Sequence, residues 1–148
     1  MTVTEIFQII ASFIGSLGFA ILFNIHGKRL LLASIGGMLS WILFILFNKA
    51  IGNDVIAYFI VAGIISIYAE IMARKLKTPT TTFIITSLIP MIPGGALYHT
   101  MVSAFRSDST DFFLKGTHTM ELAAALALGV VVVTTAIRMF RKATNRDA

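Results

Sequence analysis

The run Pro90-Met91-Ile92-Pro93-Gly94-Gly95 carries the strongest chemical signal in this chain, because it interrupts an otherwise apolar stretch over residues 80–105. Each proline lacks an N–H and displaces the carbonyl four residues back, so Pro90 frees the carbonyl of Thr86 and Pro93 that of Ile89. Two adjacent glycines weaken a helix further. Beyond the break, N–H groups near Gly94, Gly95 and Ala96 would open a new half-helix, an arrangement that attracts anions. The first half-helix would end in free carbonyls, which suit an ammonium or a cation. Thr86, Ser87, Tyr98 and His99 add hydrogen-bonding side chains on either side. A zwitterion such as an amino acid satisfies both half-helix ends. The competing reading is a proline kink whose freed carbonyls are met by neighbouring Ser and Thr hydroxyls. The residues alone leave both open.

Glu70 is the one acid well inside an apolar run. Intramembrane acids are functional candidates by default, here for proton coupling or gating. Arg74 follows at the favourable i,i+4 helical spacing, so an interfacial ion pair is the plainer account. Of the histidines, His26 falls in a short turn, and His99 and His118 fall near the opposite face. None of them has the spacing of a metal-ligand pair, so no metal and no cofactor is expected. Asp54, Asp108, Asp111 and Glu121 read as solvated loop or cap residues. Trp41, Tyr58 and Tyr68 read as packing or interface aromatics. No phosphate loop, zinc-protease helix or nucleophile elbow is present, so an enzyme is not expected.

The elements that position these residues follow from composition. The 148 residues are 57% hydrophobic and 13% charged, with a mean hydropathy of +0.88. Soluble domains carry about 25% charged residues, and a disordered chain needs low hydrophobicity and high net charge. Both are excluded. No segment shows the period-2 alternation of a membrane barrel. Cysteine is absent, so neither a disulfide framework nor a thiolate metal site can form.

Apolar runs of the length that crosses a bilayer cover residues 6–23, 30–47, 55–73, 80–105 and 122–140. The expected fold is an all-α integral membrane protein in one transmembrane domain, residues 1–148, a bundle of about five helices with the fourth broken at Pro90/Pro93-Gly94-Gly95. Thr78 and Pro79 look like the N-cap and first position of that fourth segment. Residues 106–119 look like the longest loop. The first run lacks the positive flank of a signal peptide and reads as a retained helix.

Lys and Arg set orientation. One side holds Lys28, Arg29, Arg74, Lys75, Lys77, Arg138, Arg141, Lys142 and Arg146, and the other holds Lys49, Arg106 and Lys115. The expectation is an external N-terminus and a cytoplasmic C-terminus in a bacterial cytoplasmic membrane. This asymmetry also explains the net charge of +5 without nucleic acid. Small residues recur four apart at Ser12/Ser16/Ala20, Ala33/Gly37, Gly36/Ser40, Ala123/Ala127 and Ala125/Gly129, the spacing that lets membrane helices approach closely.

Three stretches together resemble the threonine/serine exporter family. They are Ala69-Glu70-Ile71-Met72-Ala73-Arg74, then Lys77-Thr78-Pro79-Thr80-Thr81-Thr82, then Ile89-Pro90-Met91-Ile92-Pro93-Gly94-Gly95-Ala96-Leu97-Tyr98. The early Gly18-Phe19-Ala20-Ile21-Leu22-Phe23-Asn24 before a basic turn is similar too. In that family, long members fuse two membrane halves and others split them into two proteins. This chain is similar to the C-terminal half, which implies the small subunit of a split exporter with a larger membrane partner. The resemblance implies a secondary transporter, driven by an ion or proton gradient, that exports threonine and serine. Related split pairs are associated with succinate, so a dicarboxylate is the alternative substrate.

The site residues implied by physical argument are Thr86, Ser87, Pro90, Pro93, Gly94, Gly95 and Tyr98 for the small-molecule substrate, with Glu70 and Arg74 for coupling or gating. Two readings outside transport by a pair remain: a membrane scaffold with no solute path, and a homo-oligomeric channel.

Overall fold

The computed structural model describes residues 2–106 and 109–144, and helices make up nearly all of them. In chain order these are α1 (Val3–Leu22), α2 (Lys28–Ile51), α3 (Asp54–Leu76), α4 (Thr80–Leu88), α5 (Gly94–Phe105) and α6 (Ser109–Thr144). A single 3-10 turn, Ile89–Met91, sits between α4 and α5. No strand occurs among the described residues. Asp108 and Arg146 lie outside them.

Local chemistry sets the helix ends. α1 starts earlier than the apolar run suggests because Thr2 and Glu5 form a capping box: the Thr2 N–H donates to Glu5 Oε2 at 3.0 Å, and the Glu5 N–H donates to Thr2 Oγ1 at 3.4 Å. Glu5 also pairs with Lys49 Nζ at 2.6 Å, fixing the start of α1 to the end of α2. Asn53 caps α3 by accepting from the Ile56 N–H at 3.1 Å. Gly52 closes α2 at φ 71, where a glycine has no Cβ to clash.

The expected loop at residues 106–119 is a correction. α6 begins at Ser109 and absorbs almost all of it. The charges that made this stretch look solvated support the helix instead: Lys115 Nζ lies 2.6 Å from Asp111 Oδ2 across one turn, a stabilising i,i+4 pair. Thr78 is a second correction. Pro79 occupies the N-cap position of α4 and Thr78 makes no capping bond.

Among the described residues, four helices are long and apolar enough to cross a membrane, and α4 with α5 passes the same test only as a pair, bent by 51°. The chain is therefore an all-α membrane bundle. α2 and α3 form its centre, α1 flanks α2, and α6 flanks α3. α4 lies against both α2 and α3, whereas α5 leans out onto α6. The bend between them carries the chain from the centre of the bundle to its edge.

Small residues make the tight crossings. Ser12, Ser16 and Ala20 are the buried face of α1, and Gly36, Gly37 and Ser40 are buried on α2. A Cβ on Gly37 would fall 1.8 Å from Ser16 Oγ, and one on Gly36 would fall 2.1 Å from Ser87 Oγ. Ala125 and Gly129 are buried against α3, but Ala123 and Ala127 face outward. Tyr68 reaches from α3 to donate to the Leu32 carbonyl of α2 at 2.7 Å.

Candidate functional site

α4 ends at Leu88 because Pro90 cannot donate to the Thr86 carbonyl. The chain tightens into the 3-10 turn, extends through Ile92, and restarts at Gly94 after Pro93. Three backbone bonds cross this region: Ile92 N–H to Ile89 O at 3.2 Å, Gly94 N–H to Ile92 O at 2.6 Å, and Leu97 N–H to Pro93 O at 3.0 Å. Leu97 thus closes the first turn of α5. The N–H groups of Gly95 and Ala96 belong to the helix start that has no helical acceptor.

The residues around the break divide into two sets. Thr86 and Ser87 are fully buried. Thr86 Oγ1 donates back to the Thr82 carbonyl at 2.7 Å, and Ser87 Oγ donates to the Ala33 carbonyl of α2 at 3.4 Å. Gly94 and Gly95 lie on the opposite, outward face, where a Cβ on either would meet nothing within 4 Å. Tyr98 is 64% exposed beside them, its ring edge-on to His99 at 5.5 Å. Pro90 and Pro93 sit between the two sets, half-buried. The structure therefore joins Gly94, Gly95 and Tyr98 on one surface and keeps Thr86 and Ser87 in the interior.

Sequence reasoning missed a cleft that opens onto the break. Its volume is about 250 Å³, and Gln8, Ala11, Ser12, Trp41 and Pro90 line it. The Trp41 indole N–H donates to Gln8 Oε1 at 3.4 Å across it. Behind Pro90, Ser16 is fully buried and its hydroxyl has no hydrogen-bond partner. Gln8 is polar within the first apolar run, a signal that was available in the sequence.

Glu70 stands apart from the break, separated by α4, a length of about 14 Å at 1.5 Å per residue. Three elements converge on its carboxylate. Arg74 Nε lies 2.9 Å from Oε1, Arg141 of α6 lies 3.6 Å from the same oxygen, and Thr80 Oγ1 at the start of α4 donates to Oε2 at 2.8 Å. The Glu70 side chain is only 15% exposed, while both arginines are more than half exposed. The expected Glu70–Arg74 pair is present, and Thr80 and Arg141 extend it into a clasp of α3, α4 and α6.

The other end of the bundle has its own polar seam. His118 Nε2 lies 3.0 Å from Asp54 Oδ2, joining α6 to α3. Thr100 and Thr119 share a buried hydrogen bond at 3.0 Å, and Ser103 donates to Asp111. The last two hold α5 against α6.

No curated protein and no solved structure matches the chain. The family described as Threonine/Serine exporter, ThrE, matches residues 8–136. That span takes in Gln8, Glu70 with Arg74 and Thr80, the whole of the break and most of α6, but not Arg141. With nearly the full chain matched and the broken fourth helix inside the match, the protein belongs to the threonine/serine exporter family.

Proposed function

We propose that this chain is one subunit of a secondary transporter that exports small polar metabolites, threonine and serine first among them, with a larger membrane partner. Family membership supports transport of this type. The observation that carries the reading is the outward-facing start of α5 at a break in the fourth span. Broken helices recur at transporter sites, and their free N–H groups point at anionic substrate groups. Here the Gly95 and Ala96 N–H groups would hold the substrate carboxylate, and Tyr98 would flank it. Thr86 is buried on the other side of the break, so the ammonium end would be met by whatever surface closes the site. Because Gly94, Gly95 and Tyr98 are exposed, this half of the site needs another surface to close it, which the larger subunit would supply.

The Glu70 clasp supports a gating role. It ties the start of α4 to α3 and α6, so movement of α4 has to break or carry it. The Lys and Arg asymmetry supports placing this end of the bundle at the cytoplasm, with the N-terminus outside.

The test is export of threonine, serine and succinate from loaded cells. The arms are this chain alone, the larger partner alone, and both together. Export only with both supports the paired transporter, and the preferred solute decides between amino acid and dicarboxylate. Gly94→Leu fills open space and should reduce export without loss of protein from the membrane. If Gly94→Leu and Glu70→Gln both leave rate and preference unchanged, the residue assignment is wrong.

One observation favours a packing role for the break. The carbonyl that Pro93 frees on Ile89 is met by the Ile92 N–H at 3.2 Å within the 3-10 turn, as in a plain kink. Single cysteines at positions 92 to 98, in a chain with none of its own, separate the two readings. Water-borne labelling supports a wet site, and uniform protection in the assembled complex supports packing.

A further inference from the structure

We propose that the cavity between the two turns at the basic end of the bundle binds a phosphate oxyanion, from an anionic lipid headgroup or from free phosphate. The cavity holds about 420 Å³, within the range of small-ligand sites. Asn24 and His26 line it from the α1–α2 turn and Arg29 from the first turn of α2, and Thr78, Thr81 and Thr82 line it from the α3–α4 turn and α4. It lies at the far end of α4 from the break, so it is separate from the proposed transport site.

Its frame is rigid. Ile25 is buried among Ala33, Ala73 and Phe83, which anchors the first turn. His26 Nδ1 is 2.7 Å from the Asn24 carbonyl, so the ring is held in place. Lys77, at φ 50, turns the second connection back so that the Thr78 N–H reaches the Ala73 carbonyl at 3.0 Å.

Three features want an anion. Among the described residues, no carboxylate lies within ion-pair distance of Arg29. A guanidinium presents a donor fork that matches phosphate oxygens. Thr78 lines the cavity, and its hydroxyl has no partner and is turned away from solvent, so rotation about χ1 onto a bound oxyanion would satisfy a group that is costly to leave unpaired. The start of α4 has no side-chain cap, and its first helical bond is Thr82 N–H to Pro79 O at 3.2 Å. The preceding N–H groups of Thr80 and Thr81 and the helix dipole therefore add positive potential. Glu70, which accepts from Thr80 at the start of α4, is also paired with Arg74 and Arg141 and does not line the cavity.

The rim is apolar. Phe23 and Ile85 line the opening and are each 52% exposed, and Leu22 next to them is 76% exposed. An oxyanion pocket beside an outward apolar rim, at the basic end of a membrane bundle, fits a headgroup whose chains run along that rim.

The test uses the purified full chain in detergent. Binding is followed by thermal unfolding during titration with phosphatidylglycerol, and separately with sodium phosphate against sodium chloride at equal ionic strength. Arg29→Gln should weaken the anion that binds by about tenfold, from loss of a charge-assisted pair. Thr78→Val should weaken it severalfold while keeping the fold. Lys142→Gln, an exposed cation at the same end outside the cavity, should change it less than twofold. An effect with phosphatidylglycerol alone identifies the lipid, and one with sodium phosphate alone or both identifies phosphate itself as sufficient. If Arg29→Gln and Thr78→Val both behave like Lys142→Gln in both arms, the proposal is overturned.

Discussion

Gly37→Ala is the most direct probe of how the break is held. The added Cβ would sit 1.8 Å from Ser16 Oγ, 2.5 Å from Ser16 Cβ and 3.5 Å from Pro90 Cγ. Rotating Ser16 relieves the first contact only. The second involves a Cβ fixed to the α1 backbone, so α1 has to retreat by about 1 Å to reach ordinary van der Waals separation. Overpacking of this kind costs about 1–3 kcal/mol, and this geometry belongs at the upper end. The substitution also gains helix propensity, about 1 kcal/mol. Gly18→Ala in α1 isolates that gain, since a Cβ there meets nothing within 4 Å. The difference between the two variants is then the clash alone, about 2–3 kcal/mol, or roughly 6–9 °C in Tm for a chain of this size.

Ser16→Gly removes both offending atoms. The double variant should recover most of the loss, a coupling of about 2 kcal/mol in a double-mutant cycle. The assay is thermal unfolding followed by helical signal, with emission from Trp41, the one tryptophan, as a local reporter. Trp41 lies one turn beyond Gly37 and bonds Gln8 of α1, so retreat of α1 should shift its emission. A Gly37→Ala protein as stable as Gly18→Ala, or a cycle with no coupling, would refute the reasoning.

Other outcomes follow from the same geometry. Gly129→Ala should destabilise by about 2–3 kcal/mol, because its Cβ would lie 2.5 Å from the Phe59 carbonyl oxygen of α3; unlike Gly37→Ala, trimming the neighbouring Ala62 to Gly should not restore the Tm. Tyr68→Phe should cost about 0.5–1.5 kcal/mol by loss of the 2.7 Å bond to the Leu32 carbonyl, and an unchanged Tm would remove that bond from the account. Glu70→Gln should cost no more than about 1 kcal/mol from its ion pairs, since Arg74 and Arg141 are largely exposed and water screens them. Comparing melts at low and high salt checks this: the gap between the two proteins should narrow as salt rises.

The break was legible because proline acts locally: Pro90 and Pro93 remove donors whatever the rest of the chain does. Apolar run length likewise gave the helices and the bent fourth span. The stretch after Ser109 was not legible, because its charges are satisfied by partners one turn away and on α5, which a linear reading counts as solvated. The direction of the half-helix was also hidden. Whether Gly94 and Tyr98 face inward or outward depends on the 51° bend and on which neighbour α5 leans against, and neither is a property of residues 90–98 alone. Arg141 joins Glu70 from far along the chain, where the sequence offered only the Arg74 neighbour.

The division of the fourth span has a consequence for biosynthesis. α4 has nine residues and α5 has twelve, about 14 and 18 Å of helix against a hydrocarbon core of about 30 Å. Neither piece has the length to enter a bilayer as a spanning segment by itself. α4 is also rich in threonine, and its Thr86 and Ser87 are buried against helices made earlier in translation. Each piece thus depends on the other to make a spanning length, and the α2 carbonyl that Ser87 bonds is already in place when α4 is made, so the order of synthesis sets a docking surface before the second piece follows.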